Sequence, residues 1–342
     1  MKRIALFFAF LTGFLLSVLS LSAADQLTLV WPTPSTAFAE GQKPAMWVQP
    51  TESGTVESAL FGCTRNGGNR FHEGIDIRPV LKLKKGEATD PIYAIMPGKV
   101  VYFNKIAGNS GYGRYVVLEH ENTTPHVYSL YAHLARVDAS LQVGQLVKEG
   151  TVLGVMGRSA LYHIPQSRSH LHLEVGLRLT DHFEDWYLRQ NYEEENFHSV
   201  YNGMNLTGFD PLDFFESYRR GEVRSALDYI RRLPVAYVLR ISYSQVPDYV
   251  RRYPELLVGV IPERDLAGWD VAFTWFGLAK RWQPLTREQA PDLGPEGSIR
   301  MLSWSPEQME GHYGKKTILK GKNGPKLGPV GIQILQLLFG FK

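Results

Sequence analysis

The sequence predicts a mainly β, antiparallel domain over residues 56–218, followed by a separate α+β region over residues 219–342. Residues 56–218 are short β-prone runs broken by glycine turns, the pattern of antiparallel sheets. Beyond Tyr218 such runs alternate with helix-like stretches, and the charge balance changes sign. Residues 25–217 hold 16 basic and 22 acidic side chains, whereas residues 218–342 hold 19 and 12. At 342 residues the chain is long enough for two domains, and it carries no repeat or low-complexity tract.

Residues 1–24 read as a signal peptide. Lys2 and Arg3 precede an apolar run over 4–21, and Ser22-Ala23-Ala24 offers small residues for cleavage before Asp25. The alternative is an uncleaved anchor, since the run approaches membrane-spanning length, although Thr12, Gly13, Ser17 and Ser20 dilute it. Export to the periplasm or cell envelope, or secretion, is expected. Residues 25–55, with Pro32, Pro34, Pro44 and Pro50, read as an irregular lead-in. Within the β domain, 180–207 reads as a long loop or short helical insertion. The second region reads as a helix over 219–233, then strands over 236–242, 256–261, 271–276 and 299–304. A basic loop over 315–326 and a buried apolar tail over 330–341 complete it.

Cys63 is the single cysteine, so no intrachain disulfide exists, which suits an envelope protein with a large core. As a lone cysteine beside a turn it reads as structural. The excess of basic residues after Tyr218 fits an anionic envelope surface or a partner domain of opposite sign. No nucleic-acid partner is expected, and the oligomeric state is not legible.

Chemistry concentrates in Phe71-His72-Glu73-Gly74-Ile75-Asp76-Ile77, Tyr131-Ala132-His133-Leu134 and His170-Leu171-His172-Leu173-Glu174. Strand side chains alternate faces, so His170 and His172 point one way while Leu171 and Leu173 face the core. Gly74 and Pro79 argue against a helix for the four-residue spacing of His72 and Asp76. Two ligand-bearing segments about a hundred residues apart can therefore converge across a sheet. Imidazole and carboxylate are the usual zinc ligands, and a catalytic zinc keeps a position open for water. Either pair alone reads more often as a half-buried polar stripe than as ligands; the combination in order is what points to a metal.

These motifs resemble the lysostaphin/LytM-type zinc endopeptidases, which cut peptidoglycan cross-links. Further matches are Phe61-Gly62 with Arg65, Asp90-Pro91-Ile92-Tyr93-Ala94, Pro97-Gly98-Lys99-Val100-Val101, Gly111-Tyr112-Gly113-Arg114-Tyr115, the run 143–154, and Phe209-Asp210-Pro211-Leu212-Asp213. The resemblance covers about 56–218. It implies a secreted zinc endopeptidase with one Zn2+ bound by His72, Asp76 and His172, with His133 and His170 as the catalytic, non-ligating histidines, and peptidoglycan stem peptides as substrate. The lipoyl-like glycine spacing of 143–157 adds a barrel-sandwich character to this core, without the lysine-bearing hairpin tip of a carrier.

The segment 157–169 before His170 departs from the family's glycine-rich approach, and Lys82, Lys84 and Lys85 sit in extra residues after Asp76. Both are expected to be loops near the cleft. Glu174 reads either as a partner of a ligand histidine or as a solvent-facing strand residue. His120, His126, His163, His182, His198 and His312 carry no assignment. No His-Glu-x-x-His stretch occurs. The alternatives to a wall endopeptidase are a non-catalytic activator of another wall hydrolase and a secreted metallopeptidase acting on proteins or peptides.

Overall fold

The computed structural model describes residues 27–65, 70–322 and 324–341, and the expected signal peptide lies outside them. The lead-in is largely irregular as its prolines dictate, with one 3-10 turn at Pro44–Met46. Aromatic packing holds it down. Trp31 stacks on Phe38 with ring centroids 4.4 Å apart, and Trp47 and Phe215 meet Trp31 edge-on.

Seven antiparallel strands form the main sheet, six of them in the order Leu206–Phe209, Leu171–Arg178, Val127–Ala132, Tyr115–His120, Gly98–Asn104 and Leu146–Val147. The short strand Ile75–Ile77 pairs with Leu171–Arg178 beside Leu206–Phe209. A three-stranded sheet of Pro91–Tyr93, Val152–Met156 and Leu134–Val137 completes the β core. Both faces of the main sheet are covered, which is why Val127–Ala132 is buried along its whole length. Leu171, Leu173, Val175 and Leu177 face the principal core. Tyr115, Val117, Tyr128, Leu130 and Ala132 face a smaller one, closed by Tyr201 and Leu206. Within the segment 180–207, two 3-10 turns bring Val200 and Tyr201 to the second face, while the helix Phe183–Arg189 packs Phe183, Trp186 and Tyr187 into the principal core.

The second region departs from expectation in several places. Of the helix expected over 219–233 only Ala226–Arg232 forms; a separate helix, Pro211–Arg219, ends where it was to begin. Gly221 at φ 69° stops that earlier helix from continuing, and Ser225 caps the start of the next by accepting from the Asp228 amide. The strand expected over 256–261 is absent. Pro254 starts a 3-10 turn there, and Gly259 at φ 84° turns the chain outward. Four strands form the second sheet, in the order Ala279–Thr286, Leu266–Phe273, Tyr237–Ser242 and Ile299–Trp304. Ala279–Thr286 was not expected because Pro284 interrupts its pattern, and its edge position is what tolerates that proline. The basic loop expected over 315–326 contains a hairpin, Ile318–Gly321 with Gly324–Leu327. The apolar tail is the helix Pro329–Phe339, buried on its Ile334, Leu335 and Leu338 side. Among the described residues no helix is long and apolar enough to cross a membrane.

One apolar cluster runs through both regions, from Ile75 and Leu173 to Trp269, Trp282 and Phe339. The separation expected at Tyr218 is not seen in the packing. A chain ending at Tyr218 exposes the apolar surface that Trp275, Phe276 and the last helix cover. It should lose cooperative unfolding by calorimetry; a sharp transition in that fragment would show an autonomous domain.

His120 is fully buried, donating from Nδ1 to the Pro97 carbonyl at 2.7 Å and meeting Ser129 Oγ through Nε2 at 2.7 Å. Burial pushes its imidazole down to about 4. An unfolded histidine takes up its proton near pH 6.5, so between those values the unfolded state binds more protons and folding weakens as pH falls. The loss is on the order of 3 kcal/mol. Denaturant titrations from pH 7 to 4 should show the stability gap between wild type and His120→Gln closing with acid; parallel curves would contradict this.

Candidate metal and catalytic centre

Strand register builds the centre. His172 lies opposite Asp76 on one side of its strand and opposite Ala132, next to His133, on the other. Gly74 crosses beneath that strand so closely that a Cβ would sit 2.1 Å from the Leu173 carbonyl oxygen. Any side chain there would push the His72 segment off the sheet. His133 sits where the chain leaves the seven-stranded sheet for the three-stranded one, and it adopts φ 62° despite its side chain. A left-handed non-glycine residue costs about 1–3 kcal/mol and persists only where surroundings hold it. Its amide donates to the Tyr112 carbonyl at 2.9 Å.

The structure brings all five expected residues to one cleft of about 1300 Å³. His72, Asp76 and His172 are buried, with one ligand atom from each within 4.8 Å of the others. His72 Nε2 is 3.0 Å from Asp76 Oδ1 and 3.1 Å from His172 Nδ1, and His172 Nδ1 is 2.9 Å from Asp76 Oδ1. Outward bonds set this convergence. His72 Nδ1 donates to the Leu60 carbonyl at 2.8 Å, and His172 Nε2 donates to Glu174 Oε1 at 3.0 Å. Both imidazoles therefore turn a lone pair toward Asp76, whose other oxygen accepts from Arg65 at 2.6 Å. Three lone-pair donors facing one another in a buried site repel unless a cation lies between them. Two imidazole nitrogens and a carboxylate oxygen are a donor set that suits a divalent metal ion.

Without an ion between them, a proton on His172 relieves that repulsion: burial disfavours a charge there, yet the Asp76 and Glu174 hydrogen bonds outweigh it and carry its imidazole up to about 9. A bound cation would replace that proton. Burial also opposes charge on Asp76, but His72, His170 and His172 hold its carboxyl well below the usual range. His133 and His170 stand beside this cluster with ring centroids 4.7 Å apart. His133 Nδ1 donates to the Ser159 carbonyl at 2.8 Å, and His170 Nδ1 to the Arg168 carbonyl at 2.7 Å. Burial lowers both imidazoles, with the neighbouring histidines adding to it at His133. Each presents a neutral Nε2 to the cleft.

Glu174 is buried, not solvent-facing. It receives His172 Nε2–H, the Tyr112 hydroxyl at 2.6 Å and the Tyr128 hydroxyl at 3.0 Å. Tyr112 is visible in the sequence only within a motif match and Tyr128 not at all, because their hydroxyls reach Glu174 only once the strands are in register. Arg65 was visible only as a motif match; its contact with Asp76 gives the reason for it. Equally unannounced is Lys315 of the second region, whose Nζ lies 3.9 Å over the Phe71 ring and 3.8 Å from Glu73. The segment 157–169 lines the cleft as expected, through Leu161, Tyr162, His163 and Ile164. The loop around Lys82 does not line it. His198 and His312 are packing residues, bonded to Tyr115 at 2.7 Å and stacked on Trp275 at 3.8 Å.

Residues 70–182 match the model of peptidase family M23, a segment that contains all five residues. The LytM/lysostaphin-type resemblance is thereby borne out over that segment. Among solved structures the chain is similar to a Ruminococcus gnavus protein put forward as the glycyl-glycine endopeptidase lytM, at 30% identity over 31% of this chain and 40% of that one, TM-score 0.25. It is similar to the catalytic domain of the antimicrobial peptidase lysostaphin from Staphylococcus simulans, at 22% identity over 54% of this chain and 98% of that one, TM-score 0.30. A zinc-containing peptidase from Vibrio cholerae aligns at 23% identity over 44% of this chain and 37% of that one, TM-score 0.30. The chain thus spans well under two thirds of the Ruminococcus and Vibrio chains. No curated protein matches it.

Carboxylates that orient a ligand histidine typically govern metal affinity by about 10–100-fold. Glu174→Gln should weaken zinc binding by that order in chelator competition, with the fold intact by circular dichroism. Unchanged affinity would remove Glu174 from the centre.

Proposed function

We propose that this chain is an exported, zinc-dependent endopeptidase that hydrolyses peptide cross-links of bacterial peptidoglycan. The observation that carries the reading is the convergence of His72, Asp76 and His172 beside two neutral histidines open to one cleft. The M23 match supports a peptidase. His72 Nε2, Asp76 Oδ1 and His172 Nδ1 would hold the zinc ion. When bound there, zinc supplies Lewis-acid activation of a peptide carbonyl and of water.

The remaining work falls to protein groups. His133 and His170, each locked by its Nδ1–H on a backbone carbonyl, keep Nε2 free to take a proton from water or return one to the leaving amine. The same nitrogen, once protonated, donates to oxygen charge developing on the carbonyl. Tyr112, Tyr128 and Glu174 fix His172, and Arg65 fixes Asp76. The activator alternative expects a broken ligand set, and here the set is complete. The protein-peptidase alternative differs in substrate, which the digestion below decides.

Digesting isolated sacculi with purified protein should convert cross-linked dimeric muropeptides into monomers with glycan chains intact, as read by mass spectrometry. Release of whole stem peptides, or no release, would sink the assignment. In parallel, His72→Ala, Asp76→Ala and His172→Ala should lose zinc and turnover together. His133→Ala and His170→Ala should keep zinc and lose about a hundredfold to ten-thousandfold in rate. Zinc loss from His133→Ala with retention in His172→Ala would reverse the roles.

A further inference from the structure

The extra residues after Asp76 form a projecting hairpin outside the cleft. Lys82 bridges Ala88 across it; the Thr89 amide donates to the Leu81 carbonyl and the Leu83 amide to the Glu87 carbonyl, both at 2.9 Å. Lys84, Lys85 and Gly86 make the tip, with Gly86 at φ 87°. The base is fixed, because Asp90 accepts from the Val80 and Leu81 amides at 2.9 Å each.

Side-chain alternation in this hairpin runs against burial. Ala88 faces inward at 2% exposure, so Leu81 and Leu83, on the opposite face, point to solvent. They are 47% and 60% exposed, and Val80 beside them is 51% exposed. Scattered apolar residues on a surface need no explanation, but three within four positions on one exposed arm of a hairpin do. Lys82, Lys84 and Lys85 are exposed among them, and no acidic residue lies between 80 and 86. The first carboxylate beyond the tip, Glu87, is matched by Arg158 at 3.6 Å.

A soluble polyanion would reward the lysines alone. Only an apolar phase with an anionic rim rewards both sets, the leucines by burial and the lysines by charge. We propose that the hairpin 80–89 docks the protein on an anionic lipid bilayer, with Val80, Leu81 and Leu83 entering the headgroup boundary and Lys82, Lys84 and Lys85 meeting acidic headgroups. This assigns a membrane contact to the catalytic region itself, independent of the hydrolase reading and of the basic excess after Tyr218.

The test is co-sedimentation of the chain beginning at Asp25, which keeps every described residue, with vesicles of phosphatidylcholine or of phosphatidylcholine mixed with phosphatidylglycerol. Binding is expected only on the mixed vesicles, and it should fall with salt. Each lysine near such a surface contributes about fivefold, so Lys82→Gln/Lys84→Gln/Lys85→Gln should weaken binding on the order of a hundredfold. Leu81→Ser/Leu83→Ser should weaken it by tenfold or more, roughly, from lost apolar burial. All five side chains are exposed, so thermal melts of both variants should match wild type. Failure of the wild type to bind overturns the proposal. So does full binding by the leucine variant, which would mark a polyanion site, and so does equal binding by all three proteins.

Discussion

Everything in the centre depends on the register of one strand. Leu171–Arg178 holds His172 opposite Asp76 on one edge and Ala132 on the other, and the backbone ladder leaves no freedom in that choice. A slip of one residue would turn His172 and Glu174 into the principal core and bring Leu171 and Leu173 to the cleft. The apolar pattern forbids it, because Leu171, Leu173, Val175 and Leu177 are all buried in that core. Hydrophobic burial thus fixes the position of the polar chemistry on the opposite face.

Holding that chemistry in a buried site requires support from every direction. A buried carboxylate is tolerated only with its lone pairs occupied. Asp76 meets this with Arg65 on one oxygen and with the His172 proton, or a cation in its place, on the other, and Glu174 with one imidazole and two tyrosine hydroxyls. Several supports come from outside the β core. The second region contributes through Trp275, which packs against both Phe61 and Phe71, and through Lys315 over the Phe71 ring. Gly314 approaches Thr64 so closely that a Cβ would sit 2.4 Å from its hydroxyl oxygen. The hairpin that delivers His72 is thus clamped by residues that come more than two hundred positions later.

The sequence disclosed the site better than the fold around it. Five side chains in three short motifs were legible because strand periodicity and donor chemistry act locally. Ile299–Trp304 is legible at its true bounds, since its β-prone residues lie between turns. Ala279–Thr286 and the hairpin after Ile318 were missed, because edge positions and glycine turns override local propensity. The long helix expected after Tyr218 failed on a single glycine and a serine cap. The roles of Tyr112, Tyr128 and Lys315 are illegible for a different reason: their partners are set by three-dimensional closure, and nothing in neighbouring residues announces that.

The measurement that bears most directly on this account is the crystal structure of the zinc-loaded protein, with the ion located by anomalous scattering at the zinc edge. The account predicts zinc bonded to His72 Nε2, Asp76 Oδ1 and His172 Nδ1, at the about 2.0–2.2 Å usual for such ligands, with Glu174 still accepting from His172 Nε2. Zinc bonded through His172 Nε2, or with His133 or His170 in place of His72, would contradict it.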